Sequence, residues 1–109
     1  MPEGPTIVIL REAAAPLFTG KVVRRAEGNT RVIDPARMQG RKVLALRSWG
    51  KHFLVCFSGF TLRVHFMLFG SYRINEVKSW AVPRLSLGFD EGEINFYACS
   101  VRFIEEPLD

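Results

Sequence analysis

His52-Phe53-Leu54-Val55-Cys56-Phe57-Ser58-Gly59-Phe60-Thr61-Leu62-Arg63-Val64-His65-Phe66 holds two strand-like runs, 52–57 and 60–66, on either side of a Ser-Gly pair. Two such runs joined by two turn-forming residues predict a β-hairpin. The pattern repeats outward. Strand-like runs cover 21–27, 42–48, 71–75, 84–89, 93–98 and 101–105, and Asp90-Glu91-Gly92 is a second hairpin signal. Leu85, Leu87 and Phe89 alternate with Arg84, Ser86 and Gly88, as a half-buried strand requires. Asp34-Pro35 opens a short helical turn through Met38. Before the strands, Gly4 to Phe18 places Ile7, Leu10, Ala14, Leu17 and Phe18 at the spacing of a core-facing helix. Pro5 fits its first turn, Pro16 predicts a kinked or frayed last turn, and Gly20 stops it. The expectation is a mainly β fold with flanking helices: a two-sheet β-sandwich of about eight strands with an N-terminal helix.

At 109 residues the chain is one domain, and a 48% hydrophobic fraction with nine Phe excludes a disordered chain. No apolar run approaches the roughly 18 residues needed to span a bilayer, and no signal-peptide pattern opens the sequence. These features predict a cytoplasmic protein. Cys56 and Cys99 lie far apart without CxxC or Cys/His ligand spacing, which predicts buried free thiols and no zinc site in this segment. Charge is uneven. From Lys21 to Lys51, nine basic residues face two acids, a balance of +7, whereas from His52 to Asp109 five face seven, a balance of −2. A basic half suggests a polyanion-facing surface. A solvated basic face explains the charge equally well. Residues 105–109, acidic and with a Pro, look like the start of a linker, leaving 1–104 as the domain.

Three short segments carry chemistry. Met1 followed by Pro is normally trimmed, which leaves Pro2 as a terminal secondary amine with Glu3 beside it. An α-amine ordinarily titrates near 8, so a useful fraction is unprotonated at neutral pH. It can attack an electrophilic sugar carbon and pass to an iminium, while the carboxylate moves protons. With Met1 attached, the Pro2 nitrogen is an amide and has no nucleophilicity. The second segment is Arg47-Ser48-Trp49-Gly50-Lys51-His52-Phe53, where Gly50 turns the chain and presents Lys51 between two strands. The third, His65-Phe66-Met67-Leu68-Phe69-Gly70-Ser71-Tyr72-Arg73, is an apolar tip between two strands.

In this order and spacing the segments resemble the N-terminal catalytic domain of the formamidopyrimidine-DNA glycosylase/endonuclease VIII family, over essentially the whole chain. Pro2-Glu3-Gly4-Pro5 matches the family's N-terminal signature and Gly50-Lys51 its strand–turn lysine. The resemblance implies two packed β-sheets with a helix at each end, the Asp34–Met38 turn being the second. It implies a base-excision DNA repair enzyme, a bifunctional glycosylase/AP lyase acting on oxidised bases in double-stranded DNA, monomeric in function. Pro2 is then the nucleophile at C1′ of the damaged nucleotide and Glu3 the acid/base on the opened deoxyribose. Lys51 contacts the phosphates flanking the lesion, which base extrusion draws together.

Met67, Leu68 and Phe69 match the family's void-filling loop, whose apolar side chains restore stacking where the base has left. Three wedge residues on one loop look closer to the endonuclease VIII branch. In the formamidopyrimidine branch a Met is joined by an Arg and a Phe from a later loop, a position near Arg102 and Phe103. His65, at the entry to the tip, is expected to be structural or to contact phosphate, and His52 to be structural. The family continues into a helix–two-turns–helix domain, usually with a zinc finger, so zinc is expected only in that part and this segment carries half of a DNA clamp. The family also implies a bacterial-type, nucleoid-associated location when acting.

Two other readings compete. A non-catalytic DNA-binding or lesion-sensing fragment shares the fold without turnover. An N-terminal-proline tautomerase also uses a secondary amine, but its compact β-α-β pattern does not fit one early helix followed only by strands.

Overall fold

A computed structural model describes residues 4–76 and 81–105, with the side chains at 4, 5, 68 and 69 excepted. Helix α1 spans Gly4–Phe18 and buries Ile7, Leu10, Ala14 and Phe18, one stripe of the predicted pattern. Two expectations change. The helix runs through Pro16 to its predicted end, and Leu17, at the margin of the stripe, is 44% exposed. Gly20 adopts φ +81° just beyond the last turn, the left-handed position that ends helices. Asp34 Oδ1 accepts from Ala36 N at 3.1 Å and Pro35 opens a 3₁₀ turn, Pro35–Met38, whose Met38 is fully buried.

Six strands follow: β1 (Arg25–Glu27), β2 (Ala45–Trp49), β3 (His52–Phe57), β4 (Phe60–Ile74), β5 (Leu85–Phe89) and β6 (Gly92–Ile104). The 21–27 run is a strand only over its last three residues, with Val22 forming an isolated bridge to Lys42. Both hairpin signals hold: Phe57 pairs with Phe60 around Ser58-Gly59, and Phe89 with Gly92 around Asp90-Glu91. The eight expected strands become six because 60–66 and 71–75 belong to one long strand, as do 93–98 and 101–105.

All six form one antiparallel hydrogen-bonded sheet, in order β1-β5-β6-β4-β3-β2, rather than two separate ones. The sandwich arises because this sheet folds on itself. Phe53 lies opposite Val64, and Val64 opposite Val101. Phe96 is five residues from Val101, roughly 16 Å along a flat strand. Yet the Phe53 and Phe96 rings are 5.9 Å apart, and Phe66 also meets Phe96 at 6.2 Å. The two long strands are therefore shared by both layers. They bend where Phe66 pairs with Cys99 and the next pairing is Ser71 with Tyr97. At the same place Ala98 takes φ +49°, and the positions β6 gives to the hydrophobic core change from Ile94 and Phe96 to Cys99 and Val101. The enclosed core joins α1 to both layers through residues such as Leu10, Val55, Leu62, Leu85 and Phe96.

Candidate nucleic-acid interface

The β2–β3 turn forms as predicted. Trp49 pairs with His52, and Gly50 at φ +58° lets a two-residue loop reverse the chain. Lys51 stands exposed on this loop and makes no ion pair among the described residues. Helix α1 leads toward the same end of the domain. Near its C-terminus Gly20 N donates to Val43 O at 2.7 Å, while Arg11 Nη1 donates to Ser48 Oγ at 3.0 Å. The helix thus runs antiparallel to β2, with its first turn on the side of Gly50-Lys51. Pro2 and Glu3 lie outside the described residues.

The apolar tip differs from the expected loop between strands. It is an excursion within β4: Met67, Leu68, Phe69 and Gly70 stand between the Phe66–Cys99 and Ser71–Tyr97 pairs, opposite Ala98 alone. Its base is pinched. A Cβ on Gly70 would come within 2.7 Å of Phe66 Cβ, 2.8 Å of Ala98 O and 2.9 Å of Met67 N. Met67 is 53% exposed on this excursion, whereas Phe66 beside it is buried in the core.

His65 precedes that base by one residue and pairs with His52 on β3, whose neighbour in sequence is Lys51. The imidazoles lie 4.9 Å apart, with Trp49 6.2 Å from His52 on the other side. Burial lowers the His52 pKa from 6.5, and His65 and Arg63 lower it further. Register therefore brings Lys51, His65 and Met67 to one end of the folded sheet. Arg102 is not brought there. It faces Arg63, four residues from Met67 along β4. Phe103 meets Phe60 edge-on at 5.2 Å, beneath the Arg37 guanidinium.

The basic half of the sequence is partly neutralised. Arg24 pairs with Asp90 at 3.0 Å, Arg25 with Glu27 at 2.6 Å and Glu93 at 3.3 Å, and Arg37 with Glu105. Sequence reasoning missed Arg63 and the exposed Trp49, which lie on the sheet face that carries His52 and His65. The odd-numbered alternation of Arg63 and His65 was a signal available for this face. Cys99 is buried and Cys56 only half-buried; both are free thiols.

A helix-led, self-folded β-sandwich with an exposed lysine turn and an apolar bulge at one end defines the class. The sequence model of the formamidopyrimidine-DNA glycosylase N-terminal domain matches residues 1–104, and the chain belongs to that family. No curated protein gives a significant match. Among solved structures, a Lactococcus lactis formamidopyrimidine-DNA glycosylase bound non-covalently to AP-site DNA superimposes with a TM-score of 0.80 at 16% identity, covering 94% of this chain and 45% of that one. MutM in complex with DNA containing carbocyclic 8-oxo-G gives 0.83 at 18% identity, covering 94% and 44%. The same fold is thus shared, and the chain spans less than half the length of these relatives.

Proposed function

We propose that the chain is the catalytic N-terminal domain of a base-excision repair enzyme, a bifunctional DNA glycosylase/AP lyase that acts on oxidised bases in duplex DNA. The observation that carries this reading is the family match over residues 1–104, which includes the Pro2-Glu3 terminus and Lys51. Once Met1 is removed, the Pro2 nitrogen attacks C1′ and the bond from C1′ to the base breaks, the base leaving with a proton. Ring opening, with Glu3 giving a proton to the ring oxygen, yields an iminium. Loss of a C2′ proton then expels the 3′ phosphate by β-elimination, and water releases Pro2. Lys51 holds the phosphates around the extruded nucleotide, with His65 contacting the next one.

Met67, Leu68 and Phe69 fill the stack that the base has left. The single bulge, together with the packing of Phe103 beneath Arg37, supports the endonuclease VIII branch, in which one segment supplies the wedge. The partner is damaged double-stranded DNA, held in the complete enzyme by a second domain. The test is excision against strand cleavage. Glu3→Gln should abolish release of an oxidised base more severely than cleavage at a ready-made abasic site, whose aldehyde Pro2 can attack directly. Equal loss of both, with the fold intact, would make Glu3 a residue that positions the terminus. A non-catalytic DNA-binding fragment would instead bind DNA and cleave neither substrate.

A further inference from the structure

The sheet face opposite the core, on β2, β3, β4 and β6, carries two parallel rows. Register places Trp49, His52 and His65 in one, and Arg47, Arg63 and Arg102 in the next, two residues along each strand. Leu54, buried, lies between Arg47 and Arg63. The neighbouring row adds Ala45, Cys56, Thr61 and Ile104, so no Asp or Glu stands at these strand positions. Asp34 and Glu105 line a cavity with Arg63 and Arg102 at the sheet's end, but Glu105 is held by Arg37 and Asp34 caps the 3₁₀ turn. None of the three arginines makes an ion pair among the described residues, in contrast to Arg24, Arg25 and Arg37. Arg63 and Arg102 are direct cross-strand partners. Like charges directly opposite destabilise a sheet, so the free domain bears a cost that a bound anion would relieve.

The second row says what kind of anion. Trp49 is 70% exposed, and its contact with His52 continues into the His52–His65 pair. Exposed aromatic rings beside a cationic track are what unpaired bases and their phosphates need. The dimensions agree. The rows are roughly 7 Å apart along the strands, and the arginine row crosses three inter-strand steps, about 14 Å. At about 3.4 Å per nucleotide, the spacing of a strand stacked as in duplex DNA, that length covers about four nucleotides, and fewer of an extended strand. A duplex keeps its base faces stacked and could use only the arginines.

We propose that this face binds single-stranded DNA, with phosphates on Arg47, Arg63 and Arg102 and bases against Trp49 and His52. The choice of DNA rests on the proposed function; the cationic and aromatic rows do not. Arg63 is four residues, roughly 13 Å, along β4 from Met67, so the track is continuous with the apolar bulge.

The test is fluorescence anisotropy of a labelled, undamaged oligodeoxythymidine with the full chain at low salt. Arg63→Gln combined with Arg102→Gln should weaken binding roughly tenfold, and Trp49→Ala about fivefold or more. Arg24→Gln, whose arginine is already held by Asp90, should change it less than about twofold. The double variant removes a like-charge pair, so it should melt no lower than the parent chain, which separates lost binding from lost folding. Unchanged affinity in the folded double variant would overturn the proposal. So would tighter binding of oligouridine, or equal binding of duplex with the same losses. Undamaged DNA does not engage Pro2 chemistry, so retained binding in a chain that never forms an adduct would contradict the enzymatic reading and leave this surface standing.

Discussion

His52 and His65 face each other across β3 and β4 with ring centroids 4.9 Å apart, and the buried Nδ1 of His52 has no hydrogen-bond partner among the described residues. Burial first, then His65 and Arg63, lower the His52 pKa. Below about pH 6.5 the unfolded chain therefore binds more protons at this position than the folded one. Stability is fully present above that pH and falls as pH drops toward the lowered value. The melting temperature should decline more steeply between about pH 7 and about pH 5 in the parent chain than in His52→Gln. Parallel declines would place the acid sensitivity elsewhere.

Met67→Ala should leave thermal stability nearly unchanged, because its side chain is largely in solvent. Leu62→Ala, earlier on the same strand and fully buried, should cost about 2–5 kcal/mol. On the proposed function, Met67→Ala should impair excision from duplex DNA more than cleavage of single-stranded abasic DNA, where no gap needs filling. A large fall in melting temperature for Met67→Ala would make the bulge a core element.

Gly70→Ala has no room for its methyl group between Phe66, Met67 and the Ala98 carbonyl. Two of those three contacts are backbone atoms, which cannot swing aside as a flexible side chain would. Urea denaturation should show a loss of about 1–3 kcal/mol, as overpacking typically costs. Wild-type stability for Gly70→Ala would mean the base of the bulge is wider than the geometry gives.

Burial pushes the Cys99 thiol up to about 12, against a small opposing pull from Arg84. It should stay unreactive toward a thiol reagent at about pH 8 until the chain unfolds, since the thiolate is the nucleophile. Rapid labelling of Cys99 in the native chain, located by mass spectrometry, would show that the inner side of β6 opens readily.

Local signals made much of this molecule legible in sequence. The α1 stripe (apart from Leu17), Gly20, the Asp34-Pro35 turn and the three two-residue turns all depend on neighbours within a few residues, and each forms where expected. The fusion of 60–66 with 71–75 was hidden because Met67 to Gly70 read as a break. Only pairing with β6 shows that the strand resumes on the same partner. Leu17 and Phe18 are adjacent at the edge of one stripe, and the packing of Phe18 on Phe89 decides which turns inward. Charge counting pointed to residues 21–51, yet three of those arginines are held by carboxylates. Arg63 and Arg102, from the half with a negative balance, join Arg47 through register alone.

The proposed function stands on Pro2, freed of Met1, as the nucleophile. Borohydride reduction of the chain mixed with abasic-site DNA tests it most directly, because only an iminium is trapped and peptide mapping locates it. A covalent adduct at Pro2 is expected with the processed chain and none when Met1 is retained. Equal trapping by both forms, with the adduct on a lysine such as Lys51, would contradict it.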